Sequence, residues 1–212
     1  MLVTALLAQE GFTVADCGDG RAAVDLTRER DPDLVVLDVG LPSQSGVEAC
    51  RRIRDFSDAY VILLTGKGTE ADKLTGFSAG CDDYATKPFS APELIARVRA
   101  IQRRLRTNGG VAARNEVRSF GALSIDPLAR EVVVDGRAVE LTRIEFELLA
   151  ALSGSPRLAF SRANLIEAVW GADWFGNDHL VDVHISNLRR KLGDPGYITT
   201  VRGVGYRMGA GS

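Results

Sequence analysis

The chain has 212 residues, which is enough for two small domains or for one domain of ordinary size. Its 45% hydrophobic and 25% charged residues are typical of a globular protein, and its net charge of −2 argues neither for nor against nucleic acid as a partner. No apolar run is long enough to span a membrane and no basic segment precedes a signal-like stretch, so we expect a cytoplasmic protein. Three widely spaced cysteines without a CxxC pair favour reduced thiols over a disulfide framework or a metal site.

The first half of the chain alternates between strand and helix patterns. Apolar runs and turn signals predict strands at residues 12–15, 34–38, 60–65 and 82–85. Helical spacing, glycine stops and an S-x-x-E capping box predict helices at residues 1–10, 22–30, 46–55, about 69–79 and from Ser90 onward. Strands that alternate with helices predict a parallel, doubly wound α/β sheet.

Three polar side chains stand at the ends of predicted strands in this half. Asp38 ends the run LVVL, Thr65 ends YVILLT, and Lys87 follows the last short strand. In open α/β sheets, ligands and chemistry gather outside the carboxyl ends of the strands. A carboxylate there is a metal ligand, a nucleophile or a simple turn cap. Together, the carboxylate, hydroxyl and ammonium predict a phosphoryl site in which the carboxylate attacks and the other two groups bind the new oxygens.

Three stretches make this prediction specific: LVVLDVGLP, YVILLTGKG and GFSAGCDDYATKPFSAPELIARVRA. They resemble the receiver domain of bacterial two-component response regulators, a flavodoxin-like fold with strand order 2-1-3-4-5. The resemblance implies that Asp38 is the phosphoacceptor and that Thr65 and Lys87 contact the phosphoryl group. It also implies that Tyr84 is the aromatic switch residue and that the peptide bond before Pro88 is cis.

The receiver family begins with a hydrophobic strand that ends in two adjacent acidic residues, and this sequence has neither. The resemblance implies Mg²⁺ as a cofactor, but only Asp38, the carbonyl of Gly40 and water would remain to hold it. Because that strand lies inside the family sheet, we expect the first half to be poorly stable or to pair its sheet differently. Either the sequence is truncated, which we favour because the rest of the site is intact, or it is a shortened, phosphorylation-independent regulator.

The pattern changes after residue 106, so we expect a receiver domain over residues 1–106 and a small, polar linker over 107–117. Residues 131–141 predict a β-hairpin with Asp135-Gly136 at a type I′ turn. Further helices are predicted at residues 142–153, 162–170 and 180–192, and a closing hairpin at 197–208. Trp170 and Trp174 are interpreted as core anchors.

The helix predicted at residues 180–192 has two faces at 100° per residue. Its core face carries Val181, Ile185, Leu188 and Leu192. Its opposite face and flanks carry Val183, His184, Ser186, Asn187, Arg189, Arg190 and Lys191. One interpretation is a solvated basic face. The other is a helix in the DNA major groove, where an apolar group meets a thymine methyl and amide or guanidinium groups read base edges. Arg202 and Arg207 would add basic contacts from the final hairpin.

The stretches LTRIEFELLAAL, VDVHISNLRRKLGD and YITTVRGVGYRM resemble the winged-helix effector domain of OmpR/PhoB-type response regulators. This resemblance implies an α+β winged helix-turn-helix domain over residues 118–209. Residues 180–192 would be the recognition helix and residues 197–208 the wing. Thr200 and Arg202 of the wing would contact the minor groove or its phosphates.

The two resemblances together imply a regulator and not an enzyme. A sensor histidine kinase would phosphorylate Asp38, the receiver would dimerise, and the paired winged helices would bind promoter DNA. The loop at residues 172–179 would contact RNA polymerase or the receiver. The dimer face would carry the charged residues Lys73, Asp82, Asp83, Glu93 and Arg97, paired across a two-fold axis. A phosphatase of the haloacid dehalogenase type needs an aspartate where this chain has Gly40, whereas a phosphorylation-independent DNA-binding regulator stays open as an alternative.

Overall fold

The computed structural model describes residues 2–66, 75–107, 116–171, 174 and 178–211. The chain folds into two compact units, Met1–Ile101 and Gln102–Ser212. Most of the predicted linker at 107–117 lies outside the described residues. Across the described ranges, no helix combines the length and the apolar character needed to cross a membrane.

Among the described residues, the first unit contains three strands and the helices that connect them. The strands are β1 (Leu34–Asp38), β2 (Tyr60–Thr65) and β3 (Asp83–Thr86). The helices are α1 (Leu2–Gln9), α2 (Gly20–Arg30), α3 (Gly46–Arg54) and α4 (Ala91–Thr107), of which α4 continues past the end of the unit at Ile101. Residues 75–78 are also helical, whereas residues 69–74 of the predicted helix, including Lys73, lie outside the described residues. This alternation confirms the predicted α/β class.

The three strands form one parallel sheet in the order β1-β2-β3. Val36 pairs with Ile62, and Leu63 pairs with Tyr84. Every residue of β2 is buried, as the run YVILLT predicts, because this strand lies between two others and is apolar on both faces. The parallel arrangement brings the carboxyl ends of all three strands to one edge.

Residues 12–15 do not form the predicted strand and have no regular secondary structure. A strand requires a neighbour to pair its N–H and C=O groups. Within the described part of the chain, β1 pairs only with β2, so residues 12–15 find no partner there. As an edge strand, β1 alternates between half-buried and buried residues, although the unbroken apolar run at residues 34–37 is typical of a strand that is buried on both faces. The sheet therefore pairs differently from the five-stranded order of the resemblance.

The second unit consists of two antiparallel sheets and a group of helices. One sheet, in the order β4-β5-β6-β7, comprises Arg118–Phe120, Leu123–Asp126, Glu131–Val134 and Arg137–Ala138. The other, in the order β8-β10-β9, comprises β8 (Phe160–Ser161), β9 (Ile198–Val201) and β10 (Gly205–Met208). The helices are α5 (Arg143–Gly154), α6 (Arg162–Trp170) and α7 (His179–Leu192), followed by a 3₁₀ turn at Pro195–Tyr197.

Two local predictions for this unit are confirmed. Asp135 and Gly136 both have positive φ, at 50° and 74°, as a type I′ hairpin turn requires. Thr142 and Glu145 form a reciprocal capping box at the start of α5.

The core of the second unit is built from helices α5, α6 and α7. The predicted apolar face of α7 is buried along its whole length, at Val181, Ile185, Leu188 and Leu192. Trp170 is buried at the end of α6, as expected for a core anchor, and its ring lies 6.0 Å from that of Trp174. This core fixes α7 and leaves part of its other face exposed, at residues such as Ser186 and Arg190.

Candidate phosphoryl site and nucleic-acid interface

Asp38 and Lys87 meet at the carboxyl edge of the first unit's sheet. The Lys87 ammonium donates a hydrogen bond to Asp38 Oδ2, and the Gly40 backbone N–H donates to Asp38 Oδ1 over 3.0 Å. The Lys87 backbone N–H donates to the carbonyl oxygen of Thr65 over 2.7 Å. The side chain of Asp38 is 37% exposed, so an incoming group can reach its carboxylate. The structure thus brings the predicted carboxylate and ammonium together and joins the Lys87 backbone to Thr65.

The loop that follows Asp38 is packed tightly against the end of β1. A Cβ at Gly46 would collide with the carbonyl oxygen of Asp38, so glycine is needed where the chain re-enters a helix. The Gly46 N–H donates to the carbonyl oxygen of Val39 over 3.2 Å, and Ser45 caps α3. These contacts hold the carboxylate on a short, fixed turn between a strand and a helix.

Thr65 lies on β2 and Tyr84 on β3. Thr65 ends β2 and is buried, and Tyr84 is half-buried on β3 with its ring packed edge-on against Phe77 at 5.4 Å. The Lys87–Pro88 peptide bond is cis, which confirms that prediction.

Three residues assigned to a dimer face are buried within the first unit instead. The Asp82 carboxylate accepts hydrogen bonds from the Arg54 guanidinium and from the Val61 N–H. Asp83 forms a two-point ion pair with Arg97, at 2.8 and 3.0 Å. Asp82, Asp83 and Arg97 are all buried, which contradicts the prediction that they pair across a two-fold axis. Buried charges require partners inside the fold, and sequence position alone does not show which charges are buried.

Arg97 also connects the buried pair to the surface. Its second guanidinium nitrogen donates to Glu93 over 3.1 Å, one helical turn earlier on α4. Burial by itself lowers the pKa of Arg97, but the carboxylates of Asp83 and Glu93 together raise it by more, so the net pKa lies above its ordinary value. Of the predicted dimer face, Glu93 is the described residue that keeps a substantially exposed side chain.

Two of the three cysteines, Cys50 and Cys81, are buried, whereas Cys17 is exposed. Burial raises the pKa of Cys50 to about 12, and burial also raises the pKa of Cys81. A thiol in this state is protonated at neutral pH and is a poor nucleophile and metal ligand. No disulfide joins the three free cysteines.

The exposed face of α7 is narrower than the helical periodicity predicts. Ser186, Arg190 and Lys191 are exposed and Val183 is half-buried. His184 is only 2% exposed and Asn187 only 8%, which contradicts the prediction that both lie on an open face. The His184 ring lies 5.7 Å from that of Trp170. A helical wheel describes one helix and carries no information about the elements that pack around it.

Two of the predicted DNA-contacting cations are bound to the second unit's own framework. Arg189 donates to the carbonyl oxygen of Ile198, at 2.6 and 2.9 Å, and to the Thr200 hydroxyl at 2.9 Å. The Lys191 ammonium donates over 2.7 Å to the buried Glu145, the residue that completes the cap of α5. Both residues therefore attach α7 to neighbouring elements.

A further set of polar contacts in the second unit has no counterpart in the sequence predictions. The Asp182 carboxylate accepts hydrogen bonds from Arg162 Nε and from the Tyr206 hydroxyl, both over 2.7 Å. Partial burial raises the pKa of Asp182, but these two hydrogen bonds, the charge of Arg162 and a hydrogen bond from His179 together lower it by more, so its pKa lies below the ordinary value. Nothing in the spacing of these three residues along the chain signals that they meet.

The first unit carries a strand-end carboxylate in contact with a lysine, and the second unit is a winged helix with exposed arginines. Together these features define a transcriptional response regulator. Comparison with protein families agrees with this class. Residues 1–99 match the response regulator receiver domain, and residues 136–208 match the family described as transcriptional regulatory protein, C terminal.

Relatives match nearly the whole chain. The DNA-binding response regulator MtrA of Mycolicibacterium smegmatis is 42% identical over 98% of this chain and 91% of its own length. YclJ of Bacillus subtilis, an uncharacterized transcriptional regulatory protein, is 43% identical over 94% of this chain and 89% of its own length. The solved structure of a RitR mutant superposes with a TM-score of 0.77 at 29% identity, covering 98% of this chain and 92% of that one. The chain belongs to the OmpR/PhoB-type family of DNA-binding response regulators, which confirms the predicted class of regulator and not of enzyme.

Receiver domains of this family typically use Mg²⁺, but the residues described here do not form a complete site for it. The described residues include no group of three His, Cys, Asp or Glu side chains that could hold a metal ion. Both carboxylate oxygens of Asp38 already accept hydrogen bonds, from Lys87 and from the Gly40 N–H. Because Mg²⁺ requires an octahedron of oxygen ligands, Asp38 and the Gly40 carbonyl would leave most positions to water.

Proposed function

We propose that a sensor histidine kinase phosphorylates this chain on Asp38 and that phosphorylation controls its binding to promoter DNA. The observation that carries the proposal is the accessible Asp38 carboxylate in contact with the Lys87 ammonium at the carboxyl edge of a parallel sheet. An Asp38 oxygen forms a bond to phosphorus while the P–N bond of the phosphohistidine breaks, and the leaving imidazole takes up a proton. Lys87 then offsets the charge of the acyl phosphate.

Intact mass spectrometry after incubation with acetyl phosphate tests the acceptor. The native chain gains one phosphoryl group and the Asp38→Asn variant gains none. Lys87→Gln is the matched test of the neighbouring ammonium and slows the gain without abolishing it. Parallel incubations with Mg²⁺ and with EDTA measure how far a site with one carboxylate depends on the cation. A phosphoryl group gained equally by Asp38→Asn would contradict the assignment.

For the DNA interface we propose that α7 enters the major groove and that the β9–β10 wing contacts the adjacent minor groove or its phosphates. Val183, Ser186 and Arg190 are the predicted base-contacting residues that retain exposed surface on α7. Arg202 and Arg207 are exposed in the wing and suit phosphate contacts. His184 and Asn187 are not proposed as base contacts because their side chains are buried.

Binding to a duplex that the chain selects from a random-sequence pool tests this interface. Arg190→Ala is expected to weaken the selected site by about 1–3 kcal/mol and to relax sequence preference. Arg207→Ala is expected to weaken all duplexes alike and to reduce the salt dependence, as for a phosphate contact. Arg137→Ala, an exposed arginine of β7, serves as the matched control and leaves binding unchanged.

We further propose that the phosphorylated chain forms a homodimer on repeated half-sites and contacts RNA polymerase through residues 172–179, most of which lie outside the described residues. Because promoter DNA lies in the bacterial cytoplasm, we propose that the chain acts there. The burial of Asp82, Asp83 and Arg97 moves the proposed dimer contacts to exposed side chains such as Glu93. Sedimentation of the chain with and without acetyl phosphate tests the dimer, and an unchanged monomer in both conditions would contradict it.

A second candidate function, DNA binding that does not respond to phosphorylation, is favoured by one observation. Among the described residues, no group of three His, Cys, Asp or Glu side chains could hold the Mg²⁺ that receiver domains typically use. Equal DNA affinity before and after complete modification of Asp38, together with unchanged affinity of Asp38→Asn, would select this candidate.

A further inference from the structure

Three elements of the winged-helix unit meet at one carboxylate oxygen. Asp182 lies in the first turn of α7, and its Oδ1 accepts hydrogen bonds from two directions. One comes from the hydroxyl of Tyr206 on β10 and the other from Nε of Arg162, the first residue of α6, each over 2.7 Å. The proposed recognition helix, the wing and the preceding helix are therefore joined at a single acceptor.

A second set of contacts extends this junction to the other wing strand. The guanidinium carbons of Arg162 and Arg189 lie 5.4 and 5.5 Å from the centre of the Tyr206 ring. Arg189 also donates to the Ile198 carbonyl and to the Thr200 hydroxyl, both on β9. Both strands of the wing are thus attached to α7, β10 through Asp182 and β9 through Arg189.

The charge of Asp182 is unfavourable for DNA binding by itself. A carboxylate in the first turn of a helix that approaches phosphates opposes the duplex, so its position there requires a compensating role. The hydrogen bonds from Tyr206 and Arg162 stabilise the ionised carboxylate, and the positive charge of Arg162 offsets its negative charge. The pair is half-exposed, and ion pairs of that exposure add little to stability.

We propose that Asp182 is a positioning residue for DNA binding: it fixes the wing relative to α7 so that Arg202 and Arg190 contact one duplex at the same time. This inference rests on the proposed function of α7 and the wing. Asp182 acts through Tyr206 and need not touch DNA itself. Loss of the junction leaves each contact surface intact but removes the fixed angle between them, so the wing's contribution to affinity is lost.

A double-mutant cycle on the full chain tests this coupling, with a duplex carrying the site selected most often from a random-sequence pool as the probe. Arg202→Ala in the native background weakens binding about tenfold, which corresponds to about 1.4 kcal/mol. Asp182→Ala weakens binding by a similar factor. In the Asp182→Ala background, Arg202→Ala has almost no further effect, because the wing no longer holds Arg202 against the DNA.

Two further variants separate positioning from general loss of structure. Tyr206→Phe removes only the hydroxyl and reproduces the lost coupling to Arg202 while the thermal midpoint stays close to native. Glu167→Ala removes an exposed carboxylate from α6 and leaves both the affinity and the coupling unchanged.

The outcomes separate the failure of this inference from the failure of the proposed function. If Arg202→Ala weakens binding equally in the native, Asp182→Ala and Tyr206→Phe backgrounds, Asp182 does not position the wing, although the wing binds DNA. If Arg202→Ala has no effect on the native chain, the proposed wing contact is wrong and the positioning role is overturned with it.

Discussion

Asp82 in the first unit and Asp182 in the second each bind an arginine, but they differ in burial. The side chain of Asp82 is fully buried and that of its partner Arg54 is 11% exposed. The side chains of Asp182 and Arg162 are 31% and 35% exposed. A buried pair has lost its water and depends on its partner, whereas a half-exposed pair exchanges its partner for water at small cost. We therefore assign the first pair to the stability of the fold and the second to the geometry of the binding surface.

The contacts around each pair support this division. Arg54 also donates to the carbonyl oxygens of Gly80, Ser57 and Ala59. It therefore satisfies hydrogen-bond acceptors in several chain segments next to β2. Asp182 instead joins α7 to two elements that have their own attachments to the core. Removing the first partner leaves a buried charge and buried carbonyl groups, and removing the second changes an orientation.

The largest effect is expected for Arg54→Met. This variant leaves the buried Asp82 carboxylate without the guanidinium, and truncation of a buried ion pair typically costs about 3–5 kcal/mol. Urea unfolding of the first unit, followed through its own transition, measures the loss. Arg52→Met, an exposed arginine on the same helix, is the matched control and changes stability by less than about 0.5 kcal/mol. A loss for Arg54→Met as small as that of the control would contradict the contrast between the two pairs.

A smaller loss is expected for Glu145→Ala in the second unit. One Glu145 oxygen accepts hydrogen bonds from the Thr142 N–H and the Lys191 ammonium, so the variant removes a helix cap and leaves Lys191 without this partner. We expect the free energy of unfolding to fall by about 2 kcal/mol, which is the typical combined contribution of a helix cap and a charged hydrogen bond. Thermal unfolding of the full chain measures it. Glu140→Ala, which removes an exposed carboxylate, should leave the second unit's transition in place.

The sequence predicts the elements of this molecule far better than it predicts which charges are buried. The period of α7, the apolar run of β2 and the Thr142 capping box are local patterns, and each is present in the structure. The burial of Asp82 and Asn187 depends on elements distant in the chain, which no local pattern contains. The Asp38–Lys87 contact could be predicted because parallel strands bring their ends to one edge.

The strands of the first unit illustrate a second limit of sequence reading. Residues 12–15 have an apolar pattern suited to a strand, yet they form none, because pairing depends on a neighbour that a local pattern cannot supply. β1 has a run suited to full burial and is only half-buried, since it forms an edge.

The ion pair between Asp182 and Arg162 should make the stability of the fold depend on pH. Partial burial raises the pKa of Asp182, but hydrogen bonds from Tyr206, Arg162 and His179 and the charge of Arg162 together lower it by more. A carboxyl with a lowered pKa contributes stability that is fully present above its unfolded pKa of about 3.9 and is lost as pH falls through the folded pKa. Thermal midpoints of the native chain and Asp182→Asn should therefore differ most near neutral pH and converge in acid. A difference that stays constant down to acid pH would show that the carboxylate's charge contributes nothing.

The smallest effect is expected for Arg51→Gln, which removes the exposed pair between Arg51 and Glu48 on α3. The two side chains are 53% and 50% exposed and the nitrogen and oxygen lie 3.2 Å apart. Water already solvates both groups, so the pair should contribute less than about 0.5 kcal/mol, and that little should vanish as salt is raised. Urea midpoints at low and high salt measure it. If Arg51→Gln cost as much as Arg54→Met, burial would not be the property that distinguishes the ion pairs of this protein, and the assignment of Asp82 to stability and Asp182 to positioning would lose its physical basis.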